Sequence, residues 1–288
     1  MKSLILYMGM VLAACFSVET ISAQNMADNT GEQDEEAPTL VISYGLNMGA
    51  YFAHKGTANY YSGSGRHNLE EAINRRHNYN RIRESLNYDF ELHQLPADMA
   101  YSPAIMVGIF GGLHFTNRTA LFGSANFTRL SAQDQFTLEL KRPSFIEGDN
   151  IKAYSVYGRE ERSEIMIGLR HTYHGSEGFL HPYFELGGSM TGTRIRQNRI
   201  QIEGNTISIR RPTDTYYNVR DDGIGFGAYG GGGIRMEVGD SYAFDLGFNS
   251  NYTNINLGDN SNYHLQFTFF VRLYLSYGPS GLNRGPGS

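Results

Sequence analysis

Six ionisable residues pose the first chemical question in this chain. Arg170, Glu185, Arg235, Glu237, Asp245 and Arg272 each occupy a polar position in a stretch where apolar and polar residues alternate, three cations against three anions. Residues two apart in a strand share a face, so such charges converge, and away from water they are tolerated only when paired. A three-residue turn places Arg235 opposite Asp245, and Asp245 also lies on the strand next to that of Arg272. The expected outcome is an ion-pair plug, with a gate or proton path as the alternative.

A second set could bind anions. Arg194, Arg196, Arg199, Arg210 and Arg211 surround Arg199-Ile200-Gln201-Ile202-Glu203 and Thr206-Ile207-Ser208-Ile209-Arg210, which flank Gly204-Asn205. That spacing predicts a β-hairpin with a two-residue turn at Gly204-Asn205, standing above a membrane. Its guanidinium groups suit phosphate or carboxylate of a surface glycolipid or a partner; the competing reading is a solvated hairpin. Other candidates carry less. His174 and Ser176 are two apart but have no third partner, so nucleophilic catalysis is not expected. His54, His67, His77 and His93 do not repeat a metal-ligand spacing and read as surface histidines, so neither metal nor cofactor is expected. Gly230-Gly231-Gly232-Gly233 lies inside a strand, which excludes a phosphate loop and points to a bend or close packing.

The elements that would position these residues begin with an export signal. Lys2, an apolar stretch over residues 4–18 and the small-residue site Ile21-Ser22-Ala23 predict cleavage after Ala23; Leu12-Ala13-Ala14-Cys15 offers a competing lipidation site. Cys15 is the only cysteine, so cleavage after Ala23 leaves a chain without disulfides. Asp28, Glu32, Asp34, Glu35 and Glu36 make residues 24–38 a flexible acidic leader and supply much of the net charge of −5. With no strong basic excess, nucleic acid is not an expected partner. There are 20 Tyr, 17 Phe and 34 Gly, and no apolar run past the signal is long enough for a membrane helix. The mean hydropathy of −0.40 fits a transmembrane barrel as well as a soluble protein, because barrel strands alternate lipid-facing and lumen-facing residues.

Eight stretches show a period of two, from Leu40-Ile42-Tyr44-Leu46-Met48 to Phe267-Phe269-Val271-Leu273-Leu275. The third runs from Ala120 and shifts phase near Leu130, which suggests a bulge. The connections at 117–119, 174–178 and 239–241 are short and the others longer, notably 53–101, 141–153 and 193–222. In the first of these, Asn68 is placed to cap a helix from Leu69 through Arg76, followed by Ile82 and Leu86 one turn apart. The loop is basic at Arg66, Arg75, Arg76, Arg81 and Arg83.

With the signal ending in Ser22-Ala23-Gln24, eight strands and Tyr-rich loops, residues 39–277 resemble outer-membrane barrels of the OmpA/OmpX-like superfamily, in the variety common in Bacteroidota. Residues 278–288 depart from the aromatic terminus such barrels often use for assembly. The expectation is an all-β fold: an eight-stranded antiparallel up-and-down transmembrane β-barrel with a partly helical first external loop and periplasmic termini. Eight strands leave an interior just wide enough for side chains, so a wide pore is excluded. The expected function is non-enzymatic docking, adhesion or envelope-complex assembly, including a secretion-accessory role. A narrow channel and a lipid-active enzyme are the alternatives. The expected partners are outer-membrane lipid, with lipopolysaccharide or another envelope protein.

Overall fold

The computed structural model of the protein describes residues 41–116, 118–143, 148–173, 179–210, 222–238, 242–258 and 260–276. Its strands are β1 (Val41–Phe52), β2 (Phe90–Gln94), β3 (Ala104–His114), β4 (Thr119–Leu140), β5 (Ile151–Thr172), β6 (Leu180–Ile202), β7 (Asn205–Ser208), β8 (Gly223–Val238), β9 (Tyr242–Leu257) and β10 (Asn260–Ser276). Between β1 and β2 lie helices α1 (Lys55–Ala58), α2 (Leu69–Asn74) and α3 (Arg76–Leu86). Pairing runs β1-β3-β4-β5-β6-β8-β9-β10 and returns to β1, each step antiparallel. This ring is an eight-stranded transmembrane barrel. β2 and β7 stand outside it, paired only to the far ends of β4 and β6.

The outer face explains the composition. Leu46, Met48, Ile105, Ile167, Leu186, Phe226, Leu246 and Phe269 are all exposed, in a continuous apolar belt no soluble surface would carry. Tyr252 and Tyr263 stack at 5.3 Å near one edge of the belt, as aromatic girdles do at a lipid boundary. The opposite face of the same strands is buried and polar: Asn47, Asn126, Asn249, Asn251, Thr253 and Gln266.

β4 and β5 have 22 residues each, about 70 Å at about 3.3 Å per residue. A tilted membrane strand needs only about 9–11 residues. The surplus projects past the belt at the end bearing the long connections, and there the polarity of the two faces exchanges. On β4 the inward residues change from Ser124, Asn126 and Thr128 to Leu130, Ala132, Phe136, Leu138 and Leu140, while Arg129, Ser131, Gln133 and Gln135 face out. Pairing with β3 ends at Thr128, and the register with β5 is unbroken across Leu130, so β4 carries no bulge against β5 there. The expected phase shift is an exchange of environment, with apolar residues following lipid on one side of the boundary and a protein core on the other. The ladder does shift between Arg159 and Glu160, opposite Ile195 and Gln197, which leaves Arg196 as the extra residue of β6.

β9 shows the same exchange, with Ile255 and Leu257 turned inward and Asn254 and Asn256 outward. Its outer half therefore carries no external apolar stripe, and the connection to β10, expected to be long, is a tight turn through Gly258 at φ 58°.

The extended sheet β2-β4-β5-β6-β7 and the helices enclose a second hydrophobic core beyond the barrel. Leu69, Ile73, Ile82 and Leu86 of the helices pack on Phe136, Leu138, Val156, Ile200, Ile202 and Ile207 of the sheet. Asn68 caps α2, its side chain accepting from the Glu71 amide at 2.9 Å. The helix stops at Asn74 rather than reaching Arg76 because Arg75 takes ψ 128°. α3 ends at Asn87 in the left-handed region. The hairpin is therefore a rim of this cap and not a free arm. Its turn is Glu203-Gly204, one residue before the expected pair, with φ 43° and 80°. A two-residue turn of this hand needs positive φ at both positions, and glycine fits the second best.

The two cores separate by mutation. Leu186→Arg, at mid-belt, should destabilise the barrel by about 2–4 kcal/mol, whereas Ile200→Ala should cost about 2–5 kcal/mol felt in the cap. Denaturant unfolding from lipid vesicles should register the first, and limited proteolysis of residues 53–101 the second while the heat-modifiable barrel band persists.

Candidate functional site

The lumen is filled at three levels, each built from inward positions of neighbouring strands. At the short-turn end lies a charged floor. Arg170 of β5 donates through Nε to Glu185 Oε1 at 2.8 Å and through Nη1 to Asp245 Oδ2 at 2.7 Å. Arg235 Nε donates to Asp245 Oδ1 at 3.1 Å, and Arg272 Nη2 to Glu185 Oε2 at 3.2 Å. The Tyr274 hydroxyl donates to Asp245 Oδ2 at 2.8 Å and accepts from Arg170 and Arg235. The guanidinium carbons also lie over aromatic rings: Arg170 over Phe122 and Tyr183 at 4.4 and 4.3 Å, Arg272 over Phe122 and Phe270 at 4.3 and 4.0 Å, and Arg235 over Tyr274 at 4.7 Å. These contacts compensate three cations that face only two carboxylates.

Five of the six expected residues meet in this floor. Glu237 does not: it sits two residues nearer the strand end, half-buried, with its carboxylate 3.8 Å from His181. Arg235 and Asp245 are paired in register as expected, but Arg272, although opposite Asp245 in the ladder, reaches across to Glu185. Two glycines make the room. A Cβ on Gly233 or Gly247 would stand 2.8 or 2.6 Å from the Tyr183 hydroxyl, so the ring that covers Arg170 fits only against bare backbone.

Above the floor the lumen is polar and mostly uncharged. Asn47 donates to Asn126 at 2.8 Å, Ser189 donates to Asn251 at 2.8 Å, and Asn251 donates to Glu164. The hydroxyls of Ser124, Thr191 and Thr253 have no protein hydrogen-bond partner among the described residues.

A second charged group closes the long-loop end and was not singled out in the sequence. Arg162 donates to Glu160 Oε1 at 2.6 Å, to Thr57 Oγ1 at 3.0 Å and to Gln266. Glu160 Oε2 accepts from Tyr61 and Tyr101 at 2.8 Å each. Tyr61 and Thr57 belong to the helical loop, so this latch ties the cap to the barrel wall. Its residues sit in Arg159-Glu160-Glu161-Arg162-Ser163-Glu164, where charge on both faces erases the alternation that exposed the floor.

The basic loop and basic hairpin hold each other. Arg75 Nη1 donates to the Arg210 carbonyl at 3.1 Å and Arg81 Nη2 to that of Thr206 at 3.2 Å; Asn205 donates to Ser85 Oγ at 2.7 Å. Arg194, Arg196 and Arg199 point outward from β6, Arg210 is half-buried, and Arg211 lies outside the described residues. The expected single basic patch on the hairpin is thus divided between two faces. Glu203 in the turn accepts from Lys152 Nζ at 3.1 Å and from Tyr154 at 3.0 Å, and the Lys152 bond holds its carboxyl below the usual carboxylate range.

The four loop histidines are dispersed. His54 stacks on His264 at 4.7 Å, His93 lies 3.9 Å from Glu139, and His77 is exposed. His67, expected at the surface, is buried edge-on to Tyr60 in the turn before α2. His174 and Ser176, the expected signal and leader at 1–38, and the expected tail at 278–288 lie outside the described residues.

Removing one partner of the floor should expose the others. Asp245→Ala leaves Arg170 and Arg235 facing each other in the lumen, an expected loss of about 3–5 kcal/mol, read by urea unfolding in vesicles. Acid should loosen the hairpin. Because the folded pKa of Glu203 is depressed, its contribution is complete above the unfolded value of about 4.3 and disappears as pH falls through the lower folded value. Hydrogen exchange should show amides of 205–208 losing protection in that window while those of β8 and β9 keep theirs.

No protein-family model and no curated protein matches the sequence. Among solved structures, the chain is similar to Neisserial surface protein A (NspA), with 11% identity and a TM-score of 0.39 over 82% of this chain and 97% of that one. Ail, the attachment invasion locus protein of Yersinia pestis, in complex with the heparin analogue sucrose octasulfate, gives 11% identity and 0.34 over 82% and 96%. The outer membrane protein OprG from Pseudomonas aeruginosa gives 9% and 0.31 over 82% and 92%. At these values the likeness is one of outline.

Proposed function

We propose that this chain is a non-enzymatic outer-membrane surface protein whose barrel anchors a folded cap for docking, adhesion or assembly with another envelope component. In this reading residues 1–23 are the export signal, 24–38 a periplasmic leader, 39–277 the barrel and 278–288 a tail. Both termini lie in the periplasm and the cap lies outside. The orientation draws support from the contrast between short connections at one end and long ones at the other, the usual asymmetry of such barrels.

One observation carries the docking reading: the long connections have a buried core of their own. A channel has no need of helices packed on a five-stranded sheet beyond its mouth, whereas a binding platform needs rigid, preorganised elements. The lumen fits the same reading, since the floor and the latch each join side chains from opposite walls. Their carboxylates and guanidinium groups are engaged with one another, and neither level sets a nucleophile beside a base.

Photo-crosslinking groups placed at His77, Asn80 and Glu84, on the exposed side of α3, test the platform in intact cells. A discrete adduct that disappears with Ile73→Asp is expected, together with electrically silent wild-type protein in planar bilayers. Absence of any adduct combined with a steady conductance altered by Asp245→Ala would favour the channel, and acyl-chain release from envelope lipid by the purified barrel would favour an enzyme.

A further inference from the structure

We propose that the outward faces of β4, β5 and β6, immediately above the apolar belt, bind the phosphate groups of an outer-leaflet glycolipid. The inference rests on the outward orientation of the long-loop end and is independent of any docking partner.

The placement follows from the exchange of faces. Phe127, Ile165 and Met190 are the last lipid-facing side chains of their strands, and one or two outward steps later stand Arg129, Glu161 and Arg194. The ladders set these three side by side, Arg129 opposite Glu161 and Glu161 opposite Arg194. The next row adds Arg159; Arg196 continues the outward alternation of Arg194, and the bulge beside it reverses the phase so that Ile200 and Ile202 enter the cap and Arg199 stays on the outer face. Arg199 follows, lying over Tyr157 at 5.9 Å. Five guanidinium groups thus share a three-strand surface with the Glu161 carboxylate, and Asp222, which accepts from the Ile195 amide at 2.9 Å, borders it on the β8 side.

Glu161 organises this group without neutralising it. Its side chain is only 11% exposed and accepts from Arg129 Nε at 3.1 Å and from Arg196, while Arg129 itself remains 76% exposed. Among the described residues Arg159 and Arg194 have no ion-pair partner. Like charges on adjacent strands repel, and a merely solvated surface would intersperse acids, as the outer face of β2 and the end of β4 do with Lys141 and Glu91 at 2.8 Å. Guanidinium forks match phosphate oxygens in pairs, so a phosphate seated here relieves the repulsion.

A second observation selects an acylated ligand. Where β3 stops pairing with β4, after Met106 opposite Thr128, the wall opens into an outward groove of about 420 Å³ lined by Ile105, Val107 and Phe127 on the belt side and by Arg129, Ser131 and Ser102 on the other. Ile105 is 75% exposed there. An apolar furrow running down into lipid from a cationic shelf fits an amphiphile with phosphate above and acyl chain below.

The test uses the full chain folded in detergent micelles doped with diphosphoryl lipid A, an acylated and phosphorylated disaccharide, with retention read by native mass spectrometry. Wild type should retain it, and R129Q/R159Q/R194Q should weaken retention at least about tenfold while keeping the heat-modifiable band. Ile105→Ser with Val107→Ser should weaken the acylated probe but leave a de-acylated one unchanged. Equal retention by wild type and the arginine variant would overturn the proposal. So would displacement of the lipid by inorganic phosphate at equal concentration, which would reduce the shelf to a simple anion site. Loss of lipid retention would leave crosslinking at α3 unaffected, so the two readings fail separately.

Discussion

A bilayer core offers no hydrogen-bond partner to a peptide group, and the rest of this molecule follows from that constraint. Strands in lipid must close on themselves so that every amide is paired, which the return of β10 to β1 accomplishes. Closure with period-two side chains then forces one set of residues into lipid and the other into a narrow interior. Apolar residues outside are the direct consequence. Buried charges inside are the secondary one, because an interior of this width brings residues from opposite walls within reach of each other.

The floor shows how such an interior is satisfied. Arg170 touches acids from two different strands, Glu185 on β6 and Asp245 on β9, and Arg272 reaches Glu185 from β10. No pair is isolated. Arginine suits the position because its planar fork donates in several directions while its faces stack on Phe122, Tyr183 and Phe270. The latch repeats the device with Arg162, Glu160 and two tyrosines, but one of its walls is the helical loop. The same chemistry that fills the barrel therefore also fastens the cap.

What could be read beforehand was whatever obeyed one period in one environment. The eight barrel strands, the Asn68 cap and the pairing of Arg235 with Asp245 are of that kind. Misreadings arose where the environment changed while the backbone did not. Leu130 looked like a slip because apolar residues cross to the other face there, although the ladder is continuous. The outer half of β9 looked like a loop for the same reason. Glu237 shares its face with Arg235, but position along the strand axis, which alternation does not encode, removes it from the floor. Arg162 escaped notice because its neighbours are charged on both faces.

That exchange of faces is itself a structural signal. A strand that leaves lipid yet keeps its apolar residues on the lipid side would present them to water, so a long barrel strand either ends at the boundary or reverses its pattern there. Reversal is stable only if something apolar waits on the inner side, and the helices between β1 and β2 supply it with Leu69, Ile73, Ile82 and Leu86. The outer side must then become polar at the same height, and on β4 to β6 it becomes cationic. The inward core and the outward arginines are therefore two faces of one transition, fixed at the height where β4 to β6 leave the apolar belt.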